Sequence, residues 1–120
     1  HVSNAKDMSQ SLIVAAFPNE TNSLSTGYYE AFGRVNNATK GVLRLGSAAL
    51  ALAYLSSGAI DGFWGVNLKE WDYMAGILLV EEAGGTYSEY HDKNGQNGEI
   101  VVVSNPNIHS SLVDSVFYQS

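Results

Sequence analysis

Val42-Leu43-Arg44-Leu45-Gly46-Ser47-Ala48-Ala49-Leu50-Ala51-Leu52-Ala53-Tyr54-Leu55 changes character at its glycine-serine step. Val42 to Leu45 reads as a strand, and the residues from Ala48 onward are strong helix formers. Ser47 is the natural N-cap, because its hydroxyl can accept one of the N–H groups that a first helical turn leaves unpaired. Ser57-Gly58 provides a left-handed stop, and Ile60 to Trp64 reads as the next short strand. A strand, a helix and a strand in direct succession indicate an α/β layered domain.

Working outward, Ser11 to Phe17 is a continuous apolar run ended by Pro18-Asn19, the pattern of a strand buried on both faces. Gly27 to Lys40 places Tyr28, Ala31, Phe32 and Val35 on one helical face. Trp71-Asp72 precedes a helix predicted over Tyr73 to Ala83, which stops at Gly84-Gly85. Thr86-Tyr87 and Ile100 to Val103 read as paired strands joined by the polar turn Asp92 to Gly98, and Asn105-Pro106 opens a closing helix from Asn107 to about Tyr118. The helices after Ser47 and after Asp72 are apolar almost all round, so both are expected between layers and not on an open surface.

The chain has 120 residues, 45% hydrophobic and 15% charged, enough for one core. A formal net charge of −6 leaves no basic stripe to track a phosphate backbone, which disfavours a nucleic-acid partner. It also favours a bound cation over an arginine cradle for holding a phosphorylated small molecule. With no Cys, zinc-thiolate sites, disulfides and thiol nucleophiles are excluded together. Apolar runs fall far short of the ~20 residues that span a bilayer, and the expectation is a soluble, cytoplasmic protein. The opening His1-Val2-Ser3-Asn4 has neither initiator Met nor signal stretch, and reads as a cut from something longer.

Asp72 could be only a helix cap, its carboxylate accepting first-turn N–H groups at the positive end of the helix. Gly76 reads by itself as close packing of two helices, and Gly46-Ser47-Ala48 as an ordinary strand-to-helix turn. A glycine beside unpaired helix donors is equally a place where a ligand can approach the backbone. Asp92 to Glu99 has the look of a calcium loop, but its sixth position is Asn97 where such a loop needs glycine. His1, His91 and His109 show no paired ligand spacing and are expected at the surface, and Ser47 has no evident His and Asp partners for a triad.

Arg44-Leu45-Gly46-Ser47-Ala48-Ala49-Leu50, Ala59-Ile60-Asp61-Gly62-Phe63-Trp64, Leu68-Lys69-Glu70-Trp71-Asp72 through Glu82-Ala83-Gly84-Gly85, and Val102-Val103-Ser104-Asn105-Pro106 closely resemble, in order, the second half of the inositol monophosphatase family. The resemblance implies a layered αβαβα enzyme of the sugar phosphatase type, of which this chain is the carboxyl-terminal, substrate-side domain. It implies Mg²⁺ held jointly by acidic motifs of a missing first half and by Asp72. One ion would activate a water for attack on phosphorus, and another, the one Asp72 serves, would stabilise the leaving alkoxide. Gly46, Ser47 and Ala48 would border the sugar or inositol ring of a small phosphorylated substrate, and homodimers are implied.

One departure concerns the substrate. Inositol-recognising members often carry a glutamate seven residues before the metal aspartate, where this chain has Gly65. That removes a hydroxyl acceptor and leaves room for fructose bisphosphate, another sugar phosphate or a nucleotide phosphate, with Asn67 or Glu70 as possible compensation. The alternative is a catalytically silent fragment, or a binding or assembly module without the upstream metal motifs.

Overall fold

The structure, a computed structural model, describes residues 1–16, 26–66, 68, 70–91 and 99–117; the side chains at 26–28, 70, 72, 91 and 99 are not described. The turns expected at Pro18-Asn19 and Asp92 to Gly98, and Asn67, lie outside these residues. The described elements are β1 (Leu12–Ala16), α1 (Thr26–Ala38), β2 (Gly41–Arg44), α2 (Ala48–Ser56), β3 (Gly62–Val66), α3 (Glu70–Glu82), β4 (Thr86–His91), β5 (Glu99–Ser104) and α4 (His109–Phe117).

The strands form a five-stranded mixed sheet in the order β2-β1-β3-β5-β4. β1 pairs in parallel with both β2 and β3, which accounts for its unbroken apolar run: each neighbour covers an edge and helices cover both faces. β5 is antiparallel to β3 and to β4. The period of two along each strand separates two cores. Ile13, Ala15, Trp64, Val66, Ile100 and Val102 pack with Val35 of α1 and with Leu112 and Val116 of α4. Val14, Ala16, Phe63, Val101 and Val103 pack on the other face with Leu52 and Leu55 of α2 and with Tyr73, Ile77 and Val80 of α3. The expected α/β layering is therefore present as helices on both sides of one sheet.

Two helices stop at glycines with positive φ, Gly58 at 85° and Gly84 at 95°, where a Cβ would be strained. α4 begins two residues later than predicted, because Asn105 turns the chain first. Its buried side chain accepts from Ile108 N and donates to Ser3 Oγ and the Ala5 carbonyl, tying the N-terminal segment to the start of the helix.

The expectation that α2 and α3 are enclosed requires correction. Each buries one face on the sheet and presents the other, with Leu50 and Tyr54 of α2 and Met74, Leu78 and Leu79 of α3 between 42% and 60% exposed. A single sheet can cover only one side of an all-apolar helix, and no described element covers the second. A contiguous apolar face of this kind promotes association. The chain by itself should self-associate: sedimentation velocity over a wide concentration range should show the mean mass rising, and a constant monomer mass would count against it. Among the described residues no helix is long and apolar enough to cross a membrane.

Candidate active site

The chain leaves the carboxyl ends of the adjacent parallel strands β1 and β3 towards opposite faces, β1 leading to α1 and β3 to α3. In open α/β sheets this divergence leaves a crevice outside the strand ends, where ligands bind. α2 starts from the same edge, after β2. Because β4 runs in the direction of β3, α3 must return from that edge as α2 does, and the two helices run alongside one another.

Their contact fixes the level of the two N-termini. A Cβ on Gly76 would lie 2.7 Å from both Cβ and Cδ1 of Leu52, so the helices meet closely there and only glycine allows it. Leu52 is four residues past Ala48 and Gly76 four past Asp72, a matching rise of roughly 6 Å in each helix. The first turns carrying Ala48 and Asp72 thus stand at a similar height above the sheet edge.

Ser47 caps α2 as predicted, its Oγ accepting from Leu50 N at 3.1 Å. The N–H groups of Ala48 and Ala49 remain as first-turn donors with no acceptor among the described residues. Gly46 is exposed and its φ is not positive, and a Cβ built on it meets nothing within 4 Å. Neither turn geometry nor packing calls for glycine at this position.

α3 begins at Glu70, three residues before the predicted start, and Asp72 therefore lies inside the first turn and not ahead of it. Acidic residues are favoured there by the helix dipole, which explains why Glu70-Trp71-Asp72 joins the helix. The turn is anchored by Tyr73, which is buried against the sheet and donates its hydroxyl to Glu89 of β4 at 3.2 Å. Sequence reasoning missed this positioning pair, since no local pattern links residues in a helix and a strand formed later.

Gly65 stands at the carboxyl end of β3 on the side of α2 and α3. Leu68 fills the volume a side chain would need there: a Cβ at Gly65 would collide with its Cδ1. His109 corrects another expectation. It is half-buried, not a surface residue, and serine hydroxyls engage both ring nitrogens; burial holds its pKa below the ordinary 6.5. Among the described residues no three His, Cys, Asp or Glu side chains are grouped so as to hold a metal ion.

The sequence model described as the inositol monophosphatase family matches residues 1–117. The Nus factor SuhB of Escherichia coli K12 is 35% identical over 114 residues, 92% of this chain and 42% of that protein. An inositol-1-monophosphatase from Mesorhizobium japonicum is 47% identical over 78 residues, 63% of this chain and 29% of that protein. Among solved structures, the inositol monophosphatase from Anabaena (Nostoc) sp. PCC 7120 superposes with a TM-score of 0.83 at 36% identity, over 96% of this chain and 46% of that one. The chain thus spans less than half the length of these relatives. A match along nearly all its length, in sequence and in fold, means that the chain belongs to the inositol monophosphatase family.

Proposed function

We propose that this chain is the substrate-side domain of a Mg²⁺-dependent phosphomonoesterase acting on a small phosphorylated sugar or polyol, completed by a second, metal-motif domain. The observation that carries this reading is the convergence of two helix N-termini, Gly46-Ser47-Ala48 and the first turn with Asp72, on one edge of a sheet in a chain of this family.

A Mg²⁺ ion takes near-octahedral oxygen ligands, commonly one or two carboxylates with waters and substrate phosphate. Asp72 would supply one carboxylate, which fits such an ion only as part of a shared site. When bound, the ion would supply a nucleophilic water and charge stabilisation at the leaving oxygen. The contribution of this chain is positional. The N–H groups of Ala48 and Ala49 would donate to ring hydroxyl or phosphate oxygens, Gly46 would let the substrate reach them, and Tyr73 with Glu89 would hold the turn bearing Asp72. Gly65 and Leu68 make this rim apolar where an acidic hydroxyl acceptor could stand, which favours fructose bisphosphate or another sugar phosphate over myo-inositol phosphate.

A second reading, a binding or assembly module, is favoured by several relatives being Nus factor SuhB proteins. Phosphate release from a panel of sugar and inositol phosphates separates the two. The complete protein should hydrolyse sugar phosphates with Mg²⁺ and stop on chelation, and the 120-residue chain should release none. A complete protein inert towards the whole panel would favour the module.

A further inference from the structure

His109 opens α4, and its ring bridges that helix to β4 and to the end of β5. Nε2 lies 2.8 Å from Ser88 Oγ and Nδ1 2.9 Å from Ser104 Oγ. The protons follow from counting donors. Ser104 has one hydroxyl hydrogen and donates it to the Asn105 carbonyl at 2.8 Å, so its oxygen can only accept from the ring, which places the imidazole proton on Nδ1. Nε2 then offers a lone pair and Ser88 donates to it. The hydrogen bonds all point one way, from Ser88 through His109 and Ser104 to the carbonyl of Asn105, whose side chain turns the chain into α4.

We propose that His109 is a proton-released clasp: as a neutral imidazole it ties the start of α4 to β4 and β5, and on taking up a proton it loosens that end of the helix. A second ring proton on Nε2 would turn Ser88 from donor to acceptor and leave its hydrogen without the partner it has now. The new charge would also sit in a half-buried place where both ring contacts are neutral hydroxyls. Among the described residues no charged side chain contacts the ring, and Asp61, ahead of β3, accepts from Leu12 N. On β4, Glu89 is engaged by Tyr73 on the opposite face of the sheet. On α4, Asp114 is exposed, and Arg34 of α1 donates to the Ser115 and Val116 carbonyls at the far end of the helix. In the N-terminal segment Lys6 is exposed and Asp7 accepts from Ser9. Tyr90 of β4 packs its ring on Phe117 and Tyr87 lies on the opposite face of the sheet, while the side chains of His91 and Glu99 are not described.

The sign is fixed by burial, which lowers the folded-state pKa of His109 from 6.5. The unfolded chain then binds the proton more readily, so the stability linked to this group is complete above about pH 6.5 and is lost as pH falls through the lower folded value. Long-range ¹H–¹⁵N correlation NMR on the full chain tests the clasp directly. At neutral pH the ring should be the Nδ1-protonated tautomer, with a titration midpoint below 6.5. Hydrogen-exchange protection at Leu112 and Val116 should fall over that titration, by about tenfold for every unit the midpoint lies below its ordinary value. His109→Gln, whose amide offers an acceptor and a donor without titrating, should show flat protection over the same range. An Nε2-protonated ring, a midpoint at or above the ordinary value, or unchanged protection in the unaltered chain would each overturn the clasp, whether or not the variant folds.

Discussion

Asp72→Asn in the complete protein should lower the rate of phosphate release by at least about a hundredfold if Asp72 has the proposed role, because it removes a negative oxygen ligand from a metal that would stabilise the leaving group. The substitution separates the two roles available to a carboxylate in the first turn of α3. If its role were only to favour the positive end of the helix, its loss would cost about 0.3–1 kcal/mol of stability and leave turnover nearly intact. Asn is close in shape and still offers a carbonyl oxygen, so the fold should survive and the loss should fall on turnover and on the Mg²⁺ concentration needed for half-maximal rate. Thermal denaturation and phosphate release measured on the same preparation make the comparison. Near-normal turnover at ordinary Mg²⁺ would reject Asp72 as a metal ligand.

Much of this arrangement could be read from local chemistry. The strand, cap and helix of Val42 to Leu55 depend on neighbouring residues alone, and the Ser47 cap and the Gly58 stop stand where the pattern placed them. β1 was legible because a strand paired on both edges and covered on both faces needs apolar residues throughout. Other features depend on distant parts of the chain. The pairing of Tyr73 with Glu89 depends on a strand formed later in the chain, and the half-burial of His109 on β4 and β5 closing around it. The exposed faces of α2 and α3 mark a further limit: composition shows that an all-apolar helix needs cover on both sides, and does not say whether that cover lies within the same 120 residues. For Asp72, Gly46, Ser47 and Ala48, the resemblance supplied the role. The fold contributes a reason for them to act together, since both first turns rise from one sheet edge.

That common placement depends on the α2–α3 contact, and Gly76→Val should disturb it. The added Cβ would lie 2.7 Å from Leu52 Cβ, a backbone-proximal atom that cannot rotate away, so the helices must separate. Overpacking of this kind typically costs about 1–3 kcal/mol, and Val, with two further carbons and a lower helix propensity than Ala, belongs at the upper end of that range. Gly76→Ala should cost less, because it gains up to about 1 kcal/mol of helix propensity over glycine. Separation also shifts Gly46-Ser47-Ala48 relative to Asp72, and a misplacement of about 1 Å at a reacting centre can cost about a hundredfold in rate. The variant in the complete enzyme should therefore lose activity at temperatures where it is still folded. Leu52→Ala removes Cγ and Cδ1 from the clash, so combining it with Gly76→Val should cost less than the sum of the two single changes, with a coupling of about 0.5–3 kcal/mol. Strict additivity in that cycle, with full activity in the Gly76 variant, would mean that the two first turns are positioned by something other than this crossing.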